Sequence, residues 1–137
     1  MRHFPVFLNL RGRRVVVSGA GECAMAKLRL LLKTEARVMV YGTHPVQQVR
    51  DWAEAGRITL LERPLGLGDA VCAAMVYGAN EDAALDAQAV EIGRAAGALT
   101  NIVDNLEDSQ FITPAIVERA PVTVTIGTEG AAPVLAR

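Results

Sequence analysis

The amino-acid sequence predicts an α/β protein with a Rossmann-like, doubly wound and mainly parallel sheet that carries helices on both faces. Short apolar runs alternate along the chain with longer segments of helical periodicity, and parallel strands need such crossovers between them. Of the 137 residues 51% are hydrophobic but only 4% are aromatic, which is typical of strands buried between layers of helices. A glycine-rich turn follows the first apolar run, as it does in this class of fold.

The first crossover unit is predicted near the start of the chain. Val15–Val17 is a β-branched run bounded by glycine, which indicates a buried parallel strand. From Glu22 to Lys33 there is neither Gly nor Pro, and apolar residues recur every three or four positions, so we expect a helix. Residues 36–42, ARVMVYG, predict the second strand. The residues expected on the buried face of the helix are Ala24, Leu28, Leu31 and Leu32.

The second unit is less regular. Residues 44–55 predict a helix with apolar residues on one face, and Gly56 suits the position just past its end. Residues 57–62, RITLLE, predict the third strand. Residues 71–80, VCAAMVYGAN, predict the fourth.

The remainder of the chain predicts one long helix and two more strands of the same sheet. The helix is expected over residues 81–96, with Gly97 as its stop. Residues 98–104, ALTNIVD, and 121–127, PVTVTIG, predict the fifth and sixth strands. The side chains expected to be buried on the long helix are Ala84, Leu85, Val90 and Ile92.

Composition and chain organisation exclude several classes of function. With a formal net charge of −1, no general attraction to nucleic acid or to an anionic membrane is expected. Cys23 and Cys72 lie far apart without a CxxC pair, so neither a zinc site nor a disulfide framework is indicated. The N-terminal apolar patch, interrupted by Pro5 and Asn9, is too short for a signal peptide or a membrane span. We expect a cytoplasmic protein of one domain, residues 1–137, whose last segment, AAPVLAR, opens a helix.

The glycine turn, GAGECA, predicts a dinucleotide site. Gly19 and Gly21 remove side chains that would keep a diphosphate from the backbone, and the following helix points its unpaired amides at the anion. Ala24 stands where a third glycine is usual and still permits close packing of helix on strand. Glu22 and Cys23 lie in the turn and are counted with the cofactor-binding residues. Taken alone, the same spacing also suits a tight strand-to-helix corner.

The surroundings of the turn leave alternatives open. The acidic residue expected about twenty positions onward, which would bind the adenosine ribose, is missing. Thr43 and His44 follow the second strand instead, either as cofactor ligands or as solvated loop side chains. Arg50 is either a partner for a 2′-phosphate or a surface charge. Cys23 has either a thiol whose pKa the helix N-terminus lowers or a small packing side chain. Glu22 complements the helix dipole and is expected to point outward.

Further motifs follow one another in order along the chain. They are P-x-F at 5–7, the glycine turn, N-x-V-D at 101–104, F-I-x-P-A-I-V-x-R at 111–119 and P-V-L-A-R at 133–137. With them the chain resembles, over nearly its whole length, the N-terminal module of the siroheme synthase family of precorrin-2 dehydrogenases and sirohydrochlorin ferrochelatases. The resemblance implies NAD-dependent oxidation of precorrin-2 to sirohydrochlorin and, in bifunctional members, insertion of Fe²⁺ to give siroheme. It also implies a homodimer.

The resemblance assigns roles to residues beyond the turn. Asp104 matches the family's key aspartate, which is in a position to accept protons or to guide the metal. Without the resemblance, Asp104 would be interpreted as the cap of the turn DNLED. The loop of Gly78, Ala79 and Asn80 corresponds to a family loop beside the cofactor.

The tetrapyrrole carries many carboxylates, so cationic and polar side chains are expected to bind it. Arg119 matches a family arginine, and Thr128 stands at a family serine position that is phosphorylated in some members. Glu129 replaces a family glycine, and its charge would repel an acidic substrate. Weaker candidates are Lys27, Arg63 and Arg137 for the substrate carboxylates, Asn101 as a loop-orienting or ordinary strand-edge amide, and Asp108 as a second or merely solvated carboxylate.

Two alternatives to an enzyme remain. The chain could bind NAD(H) as a regulatory module, although such domains usually have the ribose carboxylate that is missing here. It could also be a dimerising scaffold that has lost both ligands. The family's helical region for dimerisation and substrate cover is not among these 137 residues, so we expect the domain to lack it.

Overall fold

The computed structural model describes residues 1–128, and its centre is a five-stranded parallel sheet in the spatial order β3-β2-β1-β4-β5. The strands are β1 (Arg14–Ser18), β2 (Arg37–Tyr41), β3 (Thr59–Leu61), β4 (Ala73–Gly78) and β5 (Leu99–Ile102). The helices are α1 (Glu22–Leu31), α2 (Gln47–Glu54) and α3 (Ala83–Ala95). The strand order reverses between β1 and β4, and in sheets of this kind ligands bind at that switch point.

Helices cover both faces of the sheet. Val15 and Val17 of β1 pack in one core with Leu28 of α1 and Val49 of α2. Val16 points to the opposite face, into a core that α3 supplies through Ala89. Because side chains alternate along a strand, a run of three valines serves two cores at once. The predicted Rossmann-like, doubly wound class is confirmed.

The helix boundaries shift from their predicted positions for local reasons. Helix α2 begins at Gln47 because His44 has a φ of +53° and Pro45 follows it. Helix α3 begins at Ala83, and its cap Asp82 accepts hydrogen bonds from the amides of Ala84 and Leu85. The residues buried on α3 are Asp86, Ala89, Val90 and Gly93.

The buried face predicted for α3 is partly wrong. Val90 is buried as expected, and Leu85 and Ile92 are partly buried. Ala84 is exposed, because the cap at Asp82 places it on the solvent side of the first turn. Two residues that apolar periodicity passes over, Asp86 and Gly93, lie against the sheet instead.

The expected sixth strand of the parallel sheet is also wrong in its pairing. The predicted residues do form a strand, β7 (Val122–Ile126). This strand pairs antiparallel with β6 (Ala115–Arg119) in a separate two-stranded sheet. Only Ala120 and Pro121 connect the two strands. A link this short closes a hairpin, whereas a parallel neighbour needs a long crossover.

The segment between β5 and the hairpin is fixed to the main sheet by side chains. The Tyr77 hydroxyl lies 2.9 Å from Oγ1 of Thr113, and the Tyr77 ring meets Phe111 edge-on at 5.3 Å between centroids. Burial raises the pKa of Tyr77 above its usual value. The buried Asn101 donates from Nδ2 to the carbonyl of Phe111 at 2.7 Å. Within residues 1–128, no helix has the length and apolar character that a bilayer span requires.

The close contact of α3 with the sheet at Gly93 predicts a stability effect. A Cβ there would lie 2.7 Å from Cγ2 of Thr100 and 3.1 Å from the side chain of Val76. We expect Gly93→Ala to lower the free energy of unfolding by about 1–3 kcal/mol through overpacking, despite the higher helix propensity of alanine.

The matched control is Gln88→Ala on the exposed side of the same helix, which should change stability by less than about 0.5 kcal/mol. Urea unfolding followed by circular dichroism measures both variants. Equal or greater stability of Gly93→Ala would contradict the described packing.

Candidate functional site

A pocket lies at the carboxyl ends of β1, β2 and β4, where the strand order reverses. We call it the glycine-turn pocket. The residues that line it are Gly19, Ala20, Gly21, Cys23, Gly42, Thr43, His44, Pro64, Ala79, Asn80, Glu81 and Leu85. Seven of the predicted cofactor residues are among them: Gly19, Gly21, Cys23, Thr43, His44, Ala79 and Asn80.

Gly19 is required by the fold itself. Its φ is +125°, a backbone conformation that residues other than glycine rarely adopt. Its amide donates a hydrogen bond to the carbonyl of Tyr41 at 2.7 Å. A Cβ on Gly19 would lie 2.1 Å from the carbonyl oxygen of Ala79. Gly19 therefore lets the backbones of β1, β2 and the loop after β4 approach one another.

Gly21 is glycine for a different reason. Its φ of −98° suits any residue, and a Cβ built there meets no protein atom within 4 Å. The protein thus leaves space beside Gly21 that a side chain would fill, and this space belongs to the glycine-turn pocket. Such an opening is what close approach of a ligand to the backbone requires.

The N-terminus of α1 is uncapped. No side chain in residues 1–128 accepts a hydrogen bond from its first amides, whereas in α3 the carboxylate of Asp82 accepts two, at 3.0 and 3.1 Å. The first amides of a helix carry a partial positive charge and need acceptors. An anion in the glycine-turn pocket would supply them.

The opposite wall of the pocket is the loop after β4. The Ala79 amide donates to the carbonyl of Ser18 at 2.7 Å, and Asn80 binds both Ser18 and Asp86 through its side chain. Gly78 does not line the pocket, because its missing Cβ faces Asp86, with Oδ1 at 3.1 Å. Sequence reasoning missed Asp86. Its position one turn after Asp82, at the start of a predicted helix, was the available signal.

The side of the pocket beyond β2 carries Thr43 and His44, both exposed. The two nearby arginines are engaged with acids elsewhere. Arg50 forms an ion pair with Glu62. Arg63 forms a two-pronged hydrogen bond with Asp69, at 2.7 and 3.0 Å, and its guanidinium holds the pKa of Asp69 below its usual value.

Cys23 is a packing residue in the pocket wall. Burial raises the pKa of its thiol, and the negative charges of Glu81, Asp104 and Asp86 raise it further. The alternative of a thiolate activated by the helix N-terminus is therefore wrong for this structure. Glu22 is exposed on the first turn of α1 and is not among the residues that line the pocket. This position agrees with the prediction that its side chain points outward.

A second concave surface lies beyond β5, between α1 and the base of the hairpin. We call it the Asp104 depression, and it includes Lys27, Asn101, Asp104, Thr113 and Thr128. Lys27 is four residues after Cys23 on α1, so one helix contributes to both concave surfaces.

Asp104 is exposed and has a φ of +62°. No hydrogen bond to its carboxylate is formed within residues 1–128. The Ser109 hydroxyl closes the turn instead, donating to the carbonyl of Asn105 at 2.6 Å and accepting from the Ile102 amide at 3.0 Å. Asp108 accepts a hydrogen bond from Asn105 at 2.8 Å and lies outside the depression. The interpretation of Asp104 as the cap of this turn is therefore wrong.

Arg119 is not brought to either concave surface. It is the last residue of β6, at the hairpin connection, and its guanidinium donates to the carbonyl of Glu118 at 2.9 Å. Arg63 likewise lines neither surface. Glu129, Arg137 and the expected final helix lie outside the described residues.

Comparison with known families supports the interpretation of the glycine turn as part of a dinucleotide-binding domain. A family model described as NAD(P)-binding matches residues 6–115, which include all five strands of the main sheet. The chain belongs to this NAD(P)-binding family. The open space at Gly21 and the uncapped α1 fit the diphosphate that its cofactors contain.

Among the individual proteins that the chain resembles are siroheme synthases. The chain is 36% identical over all 137 residues to the siroheme synthases of Nitrosococcus oceani and Pseudoalteromonas atlantica. It spans 29% and 30% of their length. A solved structure of SirC, a precorrin-2 dehydrogenase, superposes with a TM-score of 0.83 at 25% identity, over 98% of this chain and 66% of that one. The resemblance stated from the motifs is confirmed.

The contrast between Gly19 and Gly21 predicts opposite effects of substitution. Gly21→Asp places a capping carboxylate at α1, so we expect stability to rise by about 0.5–1 kcal/mol. The same carboxylate occupies the anion site, so NAD⁺ binding should weaken by at least about tenfold. Thermal unfolding and titration calorimetry measure the two effects.

Gly19→Ala is the contrasting variant and should lower the free energy of unfolding by more than about 2 kcal/mol, because of its clash with Ala79. Gly21→Ala is the uncharged control for the pocket. Tight NAD⁺ binding by Gly21→Asp would contradict the assignment of the anion site.

Proposed function

We propose that this chain is an NAD-dependent precorrin-2 dehydrogenase domain, residues 1–137, that oxidises precorrin-2 to sirohydrochlorin. The observation that carries the proposal is the juxtaposition of two sites along α1. An uncapped helix N-terminus opens to the glycine-turn pocket, and one helical turn further on Lys27 faces a depression that contains an unpaired carboxylate, Asp104. The siroheme synthase relatives and the SirC likeness support the choice of substrate.

The proposed cofactor contacts follow the walls of the pocket. The backbone amides of Glu22 and Cys23, the first of the uncapped α1, bind the diphosphate, while the Glu22 side chain stays outside the pocket. The Thr43 hydroxyl contacts the adenosine ribose, and His44 flanks the adenine. Ala79 and Asn80 form the facing wall. When bound, NAD⁺ supplies the acceptor for the hydride that leaves the macrocycle.

Asp104 takes the proton that leaves the macrocycle together with the hydride. Its oxygens accept no hydrogen bond within residues 1–128, so they are available as a base, and the exposed position of the side chain lets the proton pass to water. Lys27, half-buried in the same depression, binds a carboxylate of the substrate. Thr128 adds a hydroxyl to the same depression.

Iron insertion is a second candidate activity, and the same carboxylate favours it. Insertion of Fe²⁺ releases two pyrrole protons, which in this proposal the exposed Asp104 accepts one after the other and passes to water. In residues 1–128 there is no cluster of three or more His, Cys, Asp or Glu side chains for a metal. In this proposal the nitrogens of the macrocycle therefore coordinate the iron, and the protein contributes Asp104.

The proposal includes a homodimer in the reducing cytoplasm. Val117, Val122, Val124 and Ile126 share one face of the β6–β7 hairpin, and each is exposed by 43–57%. A second copy of the chain would cover this apolar face. Cys23 and Cys72 lie far apart in the sequence without a CxxC pair, which suits a reducing compartment.

Replacement of Asp104 tests the chemical proposal. Asn tolerates the positive φ of this position and has the same shape, so Asp104→Asn should preserve the fold while removing the base. We expect the rate of NADH formation from anaerobic precorrin-2 to fall by about 100-fold or more, with the Kd for NAD⁺ unchanged.

Asp108→Asn is the matched control, since it removes a carboxylate from the same loop outside the depression. Its rate should stay within about twofold of the parent chain. Full turnover by Asp104→Asn would refute the role of Asp104 as the base.

The hairpin predicts a concentration-dependent dimer. Analytical ultracentrifugation should find the dimer mass for the parent chain and the monomer mass for Val124→Glu, which buries a charge in the apolar face. Thr123→Glu adds the same charge on the other face of β7 and should remain dimeric. A parent chain that stays monomeric at high concentration would overturn this part of the proposal.

A further inference from the structure

Asp86 is a buried acid to which the proposed chemistry gives no role. Only 7% of the side chain is exposed, on the first turn of α3. Carboxylates are rarely buried to this extent unless they are paired or hydrogen-bonded. Its partners therefore indicate what it does.

The partners of Asp86 belong to the wall of the glycine-turn pocket. Its Oδ1 accepts from the backbone amide of Asn80 at 3.0 Å and from Nδ2 of Asn80 at 2.9 Å. The same Nδ2 lies 2.9 Å from Oγ of Ser18, which is buried at the end of β1, directly before Gly19. One chain of hydrogen bonds thus joins α3, the loop after β4 and the glycine turn.

Two donors converge on one oxygen of Asp86, the backbone amide and the side-chain Nδ2 of Asn80, so this position requires an oxygen acceptor. Gly78 leaves the space that Asp86 occupies, since a Cβ there would lie 3.1 Å from Oδ1. Gly78 at the end of β4 and Asn80 in the loop after it therefore both contact the side chain of Asp86.

We propose that Asp86 is a positioning residue for the dinucleotide, and this rests on the proposed function of the glycine-turn pocket. By holding both donors of Asn80, it fixes residues 78–80 against the glycine turn before a ligand arrives. Glu81, which follows directly, has a φ of +55°, and this strained conformation persists only where its neighbours are held. Asp86 makes the pocket preorganised, and preorganisation strengthens binding by lowering the entropy lost when the ligand is bound.

The first test compares NAD⁺ binding by variants at two acids of the same helix. Asp86→Ala should raise the Kd for NAD⁺ by about tenfold. Asp82→Ala removes the exposed cap of α3, with a similar loss of charge and a cost in stability of about 1 kcal/mol, and should change the Kd by less than about twofold. Asp86→Asn keeps an oxygen acceptor for Asn80 and should restore the Kd to within about threefold of the parent value.

Steady-state kinetics separate positioning from general damage to the fold. Asp86→Ala should raise the KM for NAD⁺ while kcat at saturating NAD⁺ stays within about twofold. Equal Kd values for Asp86→Ala and the parent chain would overturn the inference. An equal loss of affinity in Asp82→Ala would overturn it too, because helix stability would then explain the effect.

Hydrogen exchange without any cofactor provides the second test. In Asp86→Ala the amides of Ala79 and Asn80 should exchange at least about tenfold faster, and in Asp82→Ala they should keep the parent rate. Unchanged exchange in Asp86→Ala contradicts the inference whatever the outcome with NAD⁺. If the parent chain binds no NAD⁺, the proposed function fails, and this exchange experiment alone decides whether Asp86 holds the loop.

Discussion

The contact between Gly19 and the backbone of Ala79 is the constraint on which the site depends. At this point β1, β2 and the loop after β4 meet with no side chain between them, and the Gly19 amide is bonded to Tyr41 of β2. The chain then enters α1 beside the glycine-turn pocket, and no side chain of residues 1–128 caps the first amides of this helix. The fold thus leaves a cluster of donors that an anion can satisfy.

In the proposed function, helix α1 connects the cofactor site to the site of proton transfer. Cys23 faces the glycine-turn pocket on its first turn, and Lys27 faces the Asp104 depression on the next. The negative charge of Asp104 contributes to the raised pKa of Cys23, so a charge in the Asp104 depression acts on a residue of the glycine-turn pocket. With a net charge of −1 the chain exerts little long-range attraction, and anionic ligands must be bound by local groups such as helix amides and Lys27.

Most of the fold was predictable because its signals are local. The valine run of β1, the apolar stripe of α1 and the glycine turn each depend on residues close in sequence, and all three were found at their predicted places. The apolar residues of β7 predict a strand but not the sheet to which it belongs. Its pairing depends on the two-residue link to β6, which closes an antiparallel hairpin. Asp86 was missed because a buried acid is explained by its tertiary partners, Asn80 above all.

The site was predictable where backbone geometry determines it and less so where long side chains reach across space. Gly19, Gly21 and Ala79 line the pocket as expected, whereas Arg119 lies at the hairpin connection, bonded to its own neighbour. The role that the resemblance gives to Asp104 stays a prediction; the structure shows that Ser109, and not Asp104, closes the turn through its side chain.

The most direct test of the central claim is a backbone amide titration by NMR. If the N-terminus of α1 binds the diphosphate, the amide resonances of Glu22 and Cys23 should shift saturably with NAD⁺ and with ADP-ribose, but not with adenosine or nicotinamide alone. Glu22 and Cys23 amides that stay unmoved by NAD⁺, while resonances elsewhere in the chain shift, would contradict the account.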